Sequence, residues 1–180
     1  MKGGIDFHTH PVLVREMVAR HPELAAAARE TYYCGNNFQP LEVMLLEMDI
    51  AGIDRAVVLP IDATTSRNAT VYTNDQIVEV CAMSDRLIGF ASVDPHQSSA
   101  PEQLTHAVET LGLRGLKLDP AMQEFYADDK LAYPVYERAQ KLGIPILFHA
   151  GLSWAPGSRL KYGHPLRFED VAADFPGLRI

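Results

Sequence analysis

The chain has 180 residues, 47% of them hydrophobic and 22% charged, with a formal net charge of −7. That length holds one domain with a sizeable core, and the acidic balance excludes a nucleic-acid partner, which needs a basic surface. There is no long basic run, no amphipathic basic helix and no stretch of about 20 apolar residues, so neither a membrane surface nor a membrane span is expected.

The N-terminal MKGGIDFHTH lacks the apolar core and cleavage site of a secretory signal. Cys34 and Cys81 lie far apart and form no CxxC pattern. They read as reduced structural thiols in a cytoplasmic chain without a disulfide framework.

In chain order, Ile5 to His10 is a short apolar strand that ends in two histidines. The pattern predicts a helix from about Val12 to Glu30, then a loop over Tyr32 to Gln39 marked by Gly35-Asn36-Asn37. Pro40 opens a helix that Gly52 closes. Arg55 to Pro60 is an extended run, and Asn74 to Ser84 is helical, capped by Thr73 or Asn74. Leu87 to Val93 is a strand ending in Asp94-Pro95, and Pro101 to Leu111 a helix stopped by Gly112. Leu113 to Leu118 is a strand ending in Asp119-Pro120, followed by a helix from Asp128 to Leu142 stopped by Gly143. Ile144 to Phe148 is a fifth strand, ending in His149-Ala-Gly. A Gly/Ser/Pro-rich loop, a helix from Arg167 to Asp174 and the beginning of a sixth strand at Phe175 to Ile180 complete the chain.

Strands that alternate with helices across short connections predict a parallel sheet with crossover helices. The near-continuous apolar strands fit a sheet covered on both faces. A doubly wound sheet and a (β/α) barrel both satisfy this order. No GxGxxG or Walker loop is present, and polar residues collect at the strand C-terminal ends: His8, His10, Asp62, Asp94, Lys117, Asp119 and His149. Both architectures place chemistry there.

In a strand, residues two apart share a face, so His8 and His10 project together. A lone His-x-His pair is a weak signal, since a polar strand end also uses histidines. With His149 it makes three imidazoles at one rim, and three protein ligands plus water describe a catalytic zinc site. The other reading of His149 is a strand-end cap bonded to a loop. Lys117 and Asp119 share a face of the fourth strand. A lysine there needs a partner, because an unpaired buried charge is costly. An ion pair with Asp119 or Asp6, a clamp on an anionic substrate, and a CO2-modified lysine bridging two metals are the readings open to it. Asp6 would lie one layer below His8, either orienting a ligand ring or serving as a buried structural carboxylate. Asp62 and Asp94 read as turn formers. Trp154, in GLSWAPGS, is placed to wall a substrate pocket. His21, His96, His106 and His164 read as structural or exposed.

IDFHTH, LRGLKLDP, KLGIPILFHAG and YGHPLRFEDVAADFPGLRI together resemble the amidohydrolase superfamily. The nearest branch is the amidohydrolase-related group of metal-dependent TIM-barrel hydrolases. That branch also holds decarboxylases of the aminocarboxymuconate-semialdehyde and resorcylate type. The resemblance implies a (β/α)8 barrel of which residues 1–180 form the N-terminal part of a single domain, with about five strands and the start of a sixth. It implies His8 and His10 as first-strand metal ligands, His149 as the fifth-strand ligand and Lys117 as the fourth-strand lysine. Asp119 departs from the pattern, since many relatives carry histidine there.

The family's sixth-strand histidine and eighth-strand aspartate have no counterpart before Ile180. The expectation is therefore a fragment, a chain that needs a partner such as a second copy of itself, or a short protein with substituted ligands. The cofactor expected is a divalent metal, zinc first and manganese second. The substrate expected is small and anionic, held by Lys117 and Trp154, with Lys117 and Asp119 in catalytic roles. The reaction expected is hydrolysis of an amide- or ester-like bond by a metal-activated water. The alternatives are non-oxidative decarboxylation of an aromatic or unsaturated acid, and a partial barrel that binds metal without turnover.

Overall fold

The computed structural model describes residues 3–11, 14–31, 38–153 and 155–180. Its frame is a run of parallel strands. β1 (Gly4–Thr9) pairs with β2 (Ile53–Val58), and β2 with β5 (Leu87–Gly89). Beyond β5 the chain continues through a parallel bridge from Ala91 to Leu116, which begins β6 (Leu116–Leu118). β6 pairs with β7 (Ile146–Phe148). The amide of Ile146 in turn donates to the carbonyl of Arg179 at 2.8 Å, so the segment read as the start of a sixth strand does flank β7. The five strands do not close among the described residues, and β1 is left as an edge with Ile5 and Phe7 about half exposed.

Helices on one side of this sheet supply most of the core. The first helical stretch is divided into α1 (Arg15–Arg20) and α2 (Glu23–Thr31) rather than running unbroken. The division falls at His21-Pro22, because proline lacks the N–H that would continue the ladder. Residues 12–13 and 32–37, part of the predicted helix start and loop, lie outside the described residues. α3 (Leu41–Ala51) ends on Gly52 at φ +70°, the left-handed cap that glycine adopts without strain. α5 (Asn74–Cys81) carries a full capping box, Thr73 with Gln76. α6 (Ala100–Glu109), α8 (Tyr133–Leu142) and α9 (Leu166–Asp174) follow as read, except that α8 begins five residues later than Asp128, with Pro134 in its first turn.

The two faces of the sheet bury different things. Ala56, Val58, Leu116, Leu118 and Ile146 belong to the large core shared with the helices. Val57, Leu59 and Phe90, with Ile88 and Leu147 against them, form a separate cluster on the opposite face. Lys117 alternates with Leu116 and Leu118 and pairs in register with Leu147, so it stands on that second face. There it is fully buried.

Two features were not foreseen. β3 (Ile61–Ala63) and β4 (Ala69–Val71) form an antiparallel hairpin, with a single helical turn, α4 (Thr64–Arg67), at its tip. It rises from the end of β2 and lies over the strand ends. A second short turn, α7 (Pro120–Gln123), follows β6. The hairpin is fixed from below. Asp62 N donates to Ser92 Oγ at 3.0 Å, Thr65 N to Asp94 Oδ2 at 2.7 Å, and Ser66 Oγ to the Met122 carbonyl at 2.8 Å. Asp94, read as a turn former, is 1% exposed and also accepts from His96 N.

Candidate functional site

β1 carries a register shift between Asp6 and Thr9: Asp6 pairs with Ala56 but Thr9 with Val58, three steps against two. Such a bulge re-aims the side chains that follow it. The alternation that would place Asp6 directly beneath His8 is interrupted here. Asp6 instead accepts the backbone N–H of His8 on Oδ1 at 2.9 Å, so it holds the bulge rather than a ligand ring.

Past the bulge the two histidines converge. His8 Nε2 and His10 Nε2 are 3.2 Å apart. Two nitrogens bound to one tetrahedral zinc at 2.0–2.1 Å stand about 3.3–3.4 Å apart, so the pair has the spacing of two ligands to one ion. His10 Nδ1 lies 2.9 Å from the Leu59 carbonyl. A carbonyl only accepts, so Nδ1 carries the proton and Nε2 keeps its lone pair. Orienting a histidine ring, one of the two readings of Asp6, falls at His10 to a main-chain oxygen that no side-chain motif reveals.

Both rings are kept neutral, the form that binds metal. Burial, then the Lys117 ammonium, pushes His10 down to about 3, against the opposing Leu59 hydrogen bond. Desolvation, then Lys117 and His149, lowers His8, with Asp6 and Asp119 opposing. The groups predicted from three separate strands therefore act on one another. Burial brings Lys117 itself down to about 8, with Asp119 pulling the other way.

His149 is held at the end of β7 by its own N–H, which donates to the Leu118 carbonyl at 2.8 Å. Its Nδ1 lies 3.9 Å from Asp119 Oδ2. Asp119 Oδ1 meanwhile accepts Met122 N at 3.0 Å, capping α7. His149 Nε2 and Lys117 Nζ are buried and have no hydrogen-bond partner among the described residues. Neither ion pair considered for Lys117 is formed as a contact, which leaves its ammonium free to meet something else. Among the described residues no three His, Cys, Asp or Glu side chains already enclose a single point as a metal cage. The preformed part is the His8–His10 pair, and His149 is a third imidazole with an unused buried nitrogen. On the test of donor chemistry these residues fit a divalent ion.

Other residues fall away from this cluster. His21 Nε2 meets Glu79 at 2.9 Å, His96 Nε2 meets the Gln123 carbonyl at 2.8 Å, and His164 Nδ1 accepts from Leu166 N at 3.3 Å. His106 is exposed on α6. Trp154 lies outside the described residues. Sequence reasoning missed Gln123, fully buried, whose Oε1 accepts Asp119 N at 2.8 Å while Nε2 donates to the carbonyls of Asp62 (2.7 Å) and Val93 (2.8 Å). One carboxamide thus ties together β3 and the segments that follow β5 and β6.

A parallel sheet with its polar groups at the strand ends, beneath a paired-imidazole rim, defines the class, and comparison names it. Residues 5–180 match the amidohydrolase family, to which the chain belongs. No curated protein sequence matches it. Among solved structures it resembles an uncharacterised TIM-barrel protein of Bordetella bronchiseptica, with TM-score 0.68 and 23% identity over 97% of this chain and 64% of that one. It also resembles 4-oxalomesaconate hydratase of Rhodopseudomonas palustris, with TM-score 0.66 and 20% identity over 98% and 61%. A third is the manganese-complexed 5-carboxyvanillate decarboxylase of Novosphingobium aromaticivorans, with TM-score 0.65 and 18% identity over 98% and 63%. The fold is that of a TIM barrel, present here as an open part. The chain spans somewhat under two thirds of the length of these three structures.

Proposed function

We propose that this chain carries one side of a divalent-metal centre that acts on a small anionic substrate, with His8, His10 and His149 as ligands. The observation that carries the reading is the 3.2 Å approach of His8 Nε2 and His10 Nε2, with the His10 tautomer fixed on Leu59. Zinc is a metal that imidazole suits, and manganese is the second choice on the strength of the decarboxylase complex. When bound, the ion supplies Lewis acidity and a water acidic enough to serve as nucleophile near neutral pH.

The protein's own residues do the rest. Lys117 is a buried cation with no hydrogen-bond partner among the described residues, suited to an anionic oxygen of the substrate. Asp119, beside His149 Nδ1, favours a proton on that nitrogen and leaves Nε2 as the donor. The apolar layer of Val57, Leu59, Phe90 and Leu147 excludes water beneath the site. We read the reaction first as hydrolysis of an amide- or ester-like bond.

Decarboxylation is the second reading, favoured by the same unpaired Lys117, since an aromatic carboxylate needs a cationic partner, and by decarboxylases among the structural neighbours. The open β1 edge, with Ile5 and Phe7 exposed, supports association with further chain, from a second copy or an added segment. Turnover is assigned to that assembly. The partial barrel alone is a metal binder. A size-exclusion mass at the monomer value, in a chain that turns over substrate, would refute that assignment.

The test of the metal reading is metal content by plasma mass spectrometry on protein purified without added metal, repeated on His8→Ala. About one zinc or manganese per chain, lost in the variant, is expected. A metal-free wild type that also takes up none on dialysis against zinc or manganese would end the proposal. With metal in place, ester and amide panels and labelled-carboxylate CO2 release separate the two reactions.

A further inference from the structure

Tyr72 joins the end of β4 to α5 in a conformation its side chain disfavours. Its φ is +58°, a region that bulky residues rarely enter and that persists only where the surroundings impose it. The side chain is 1% exposed. Its hydroxyl donates to the carbonyl of Pro11 at 2.6 Å. Pro11 follows His10 directly. Its ring fixes its own φ, so anchoring its carbonyl also restrains the backbone on the His10 side. The His10 ring is held from another side by Leu59. Between them, Leu59 fixes the ring and Tyr72 fixes the backbone that bears it.

We propose that Tyr72 is a positioning residue for the metal pair: through the Pro11 carbonyl its buried hydroxyl holds the His10 backbone so that Nε2 stays aimed beside His8 Nε2. This rests on the reading of His8 and His10 as metal ligands. It also gives the unforeseen hairpin a purpose, since β3 and β4 are what deliver Tyr72 over the end of β1. Tyr136 supplies a built-in comparison. It too is fully buried with its hydroxyl on a carbonyl, that of Ala127 at 2.8 Å, but that carbonyl is not next to the His8–His10 pair and Tyr136 has no positive φ; its ring contact with Phe148 is kept in Tyr136→Phe.

The experiment compares Tyr72→Phe and Tyr136→Phe with wild type in the full chain, using Co2+ as the probe. Both changes are isosteric and remove one buried hydroxyl, so both lower thermal stability. Tyr72→Phe is expected to weaken Co2+ affinity about 10- to 100-fold and to alter the visible absorption of the bound ion. Tyr136→Phe should leave both as in wild type. Equal affinity and spectrum in Tyr72→Phe and wild type would overturn the inference, as would an equal loss in Tyr136→Phe. If wild type binds no Co2+, the metal reading fails, and the metal-free proteins decide the positioning role. There the His10 Nδ1–H proton, followed by NMR, should exchange at least tenfold faster in Tyr72→Phe than in wild type. An unchanged exchange rate would overturn the role in that case too.

Discussion

Lys117 offers the sharpest test of how this site is built, because its chemistry and its cost to the fold have one origin. The side chain is fully buried, and its Nζ has no hydrogen-bond partner among the described residues. Burial lowers its pKa from 10.5 to about 8. At about 1.4 kcal/mol for each tenfold change, the charged lysine costs the folded state roughly 3 kcal/mol. Between about pH 8 and 10.5 the folded chain binds fewer protons at this site than the unfolded chain, so stability rises with pH across that window. Below it the cost is present in full. Lys117→Met removes the charge and keeps the volume. Urea unfolding with a chelator present should find the variant more stable than wild type by roughly 3 kcal/mol at pH 7, and by less than about 1 kcal/mol at pH 10. Other titrating groups cancel in the difference. A gap that is the same at both values, or a variant less stable at pH 7, would mean that the ammonium is satisfied in the fold, and the anion-binding role would lose its basis.

Gln123→Ala strips a partner from Asp119 N and from the carbonyls of Asp62 and Val93. At about 1 kcal/mol or more for each orphaned group, a loss of roughly 3 kcal/mol is expected in urea unfolding, and a loss below about 1 kcal/mol would show that the strand ends hold without it. Cys81, a free thiol, is pushed by burial up to about 11 from 9.0. In a Cys34→Ser background it should alkylate with iodoacetamide at pH 8 about a hundredfold more slowly folded than unfolded, and equal rates would place it in solvent.

What the sequence disclosed about this site was whatever is written in side chains at a local period. The Gly52 and Gly143 stops and the Thr73 cap appear where expected, because each is decided within a few residues, and each apolar run holds a strand, though β5, β6 and β7 keep only three residues of theirs and β2 begins two residues earlier. His8, His10, Lys117 and His149 are recognisable for the same reason: each lies at or beside the end of an apolar run. The hairpin was not, since its strands are three residues each and too short for alternation to register. It is held by Ser92, Asp94 and Gln123, which lie between 29 and 61 positions away. The bulge in β1 leaves no trace in the residue types around it, and so Asp6 was assigned a face it does not keep. The proline that splits α1 from α2 was visible, and so was Pro134 at the true start of α8. Those boundaries were local signals outweighed by a helical period running through them.

The apolar layer beneath the rim explains why these polar residues behave as a set. Val57, Leu59, Phe90 and Leu147 are ordinary strand residues on one face of a parallel sheet. Burial at this face holds His10 neutral far below its usual range and brings Lys117 down to about 8. The same residue that contributes a Leu59 side chain to this layer offers the main-chain oxygen that sets the His10 tautomer. A lone pair on Nε2 at neutral pH is therefore not a property of the His-x-His motif by itself. It follows from where β2 lies against β1, and a substitution that let water reach Leu59 would change the histidine pair before it changed the fold.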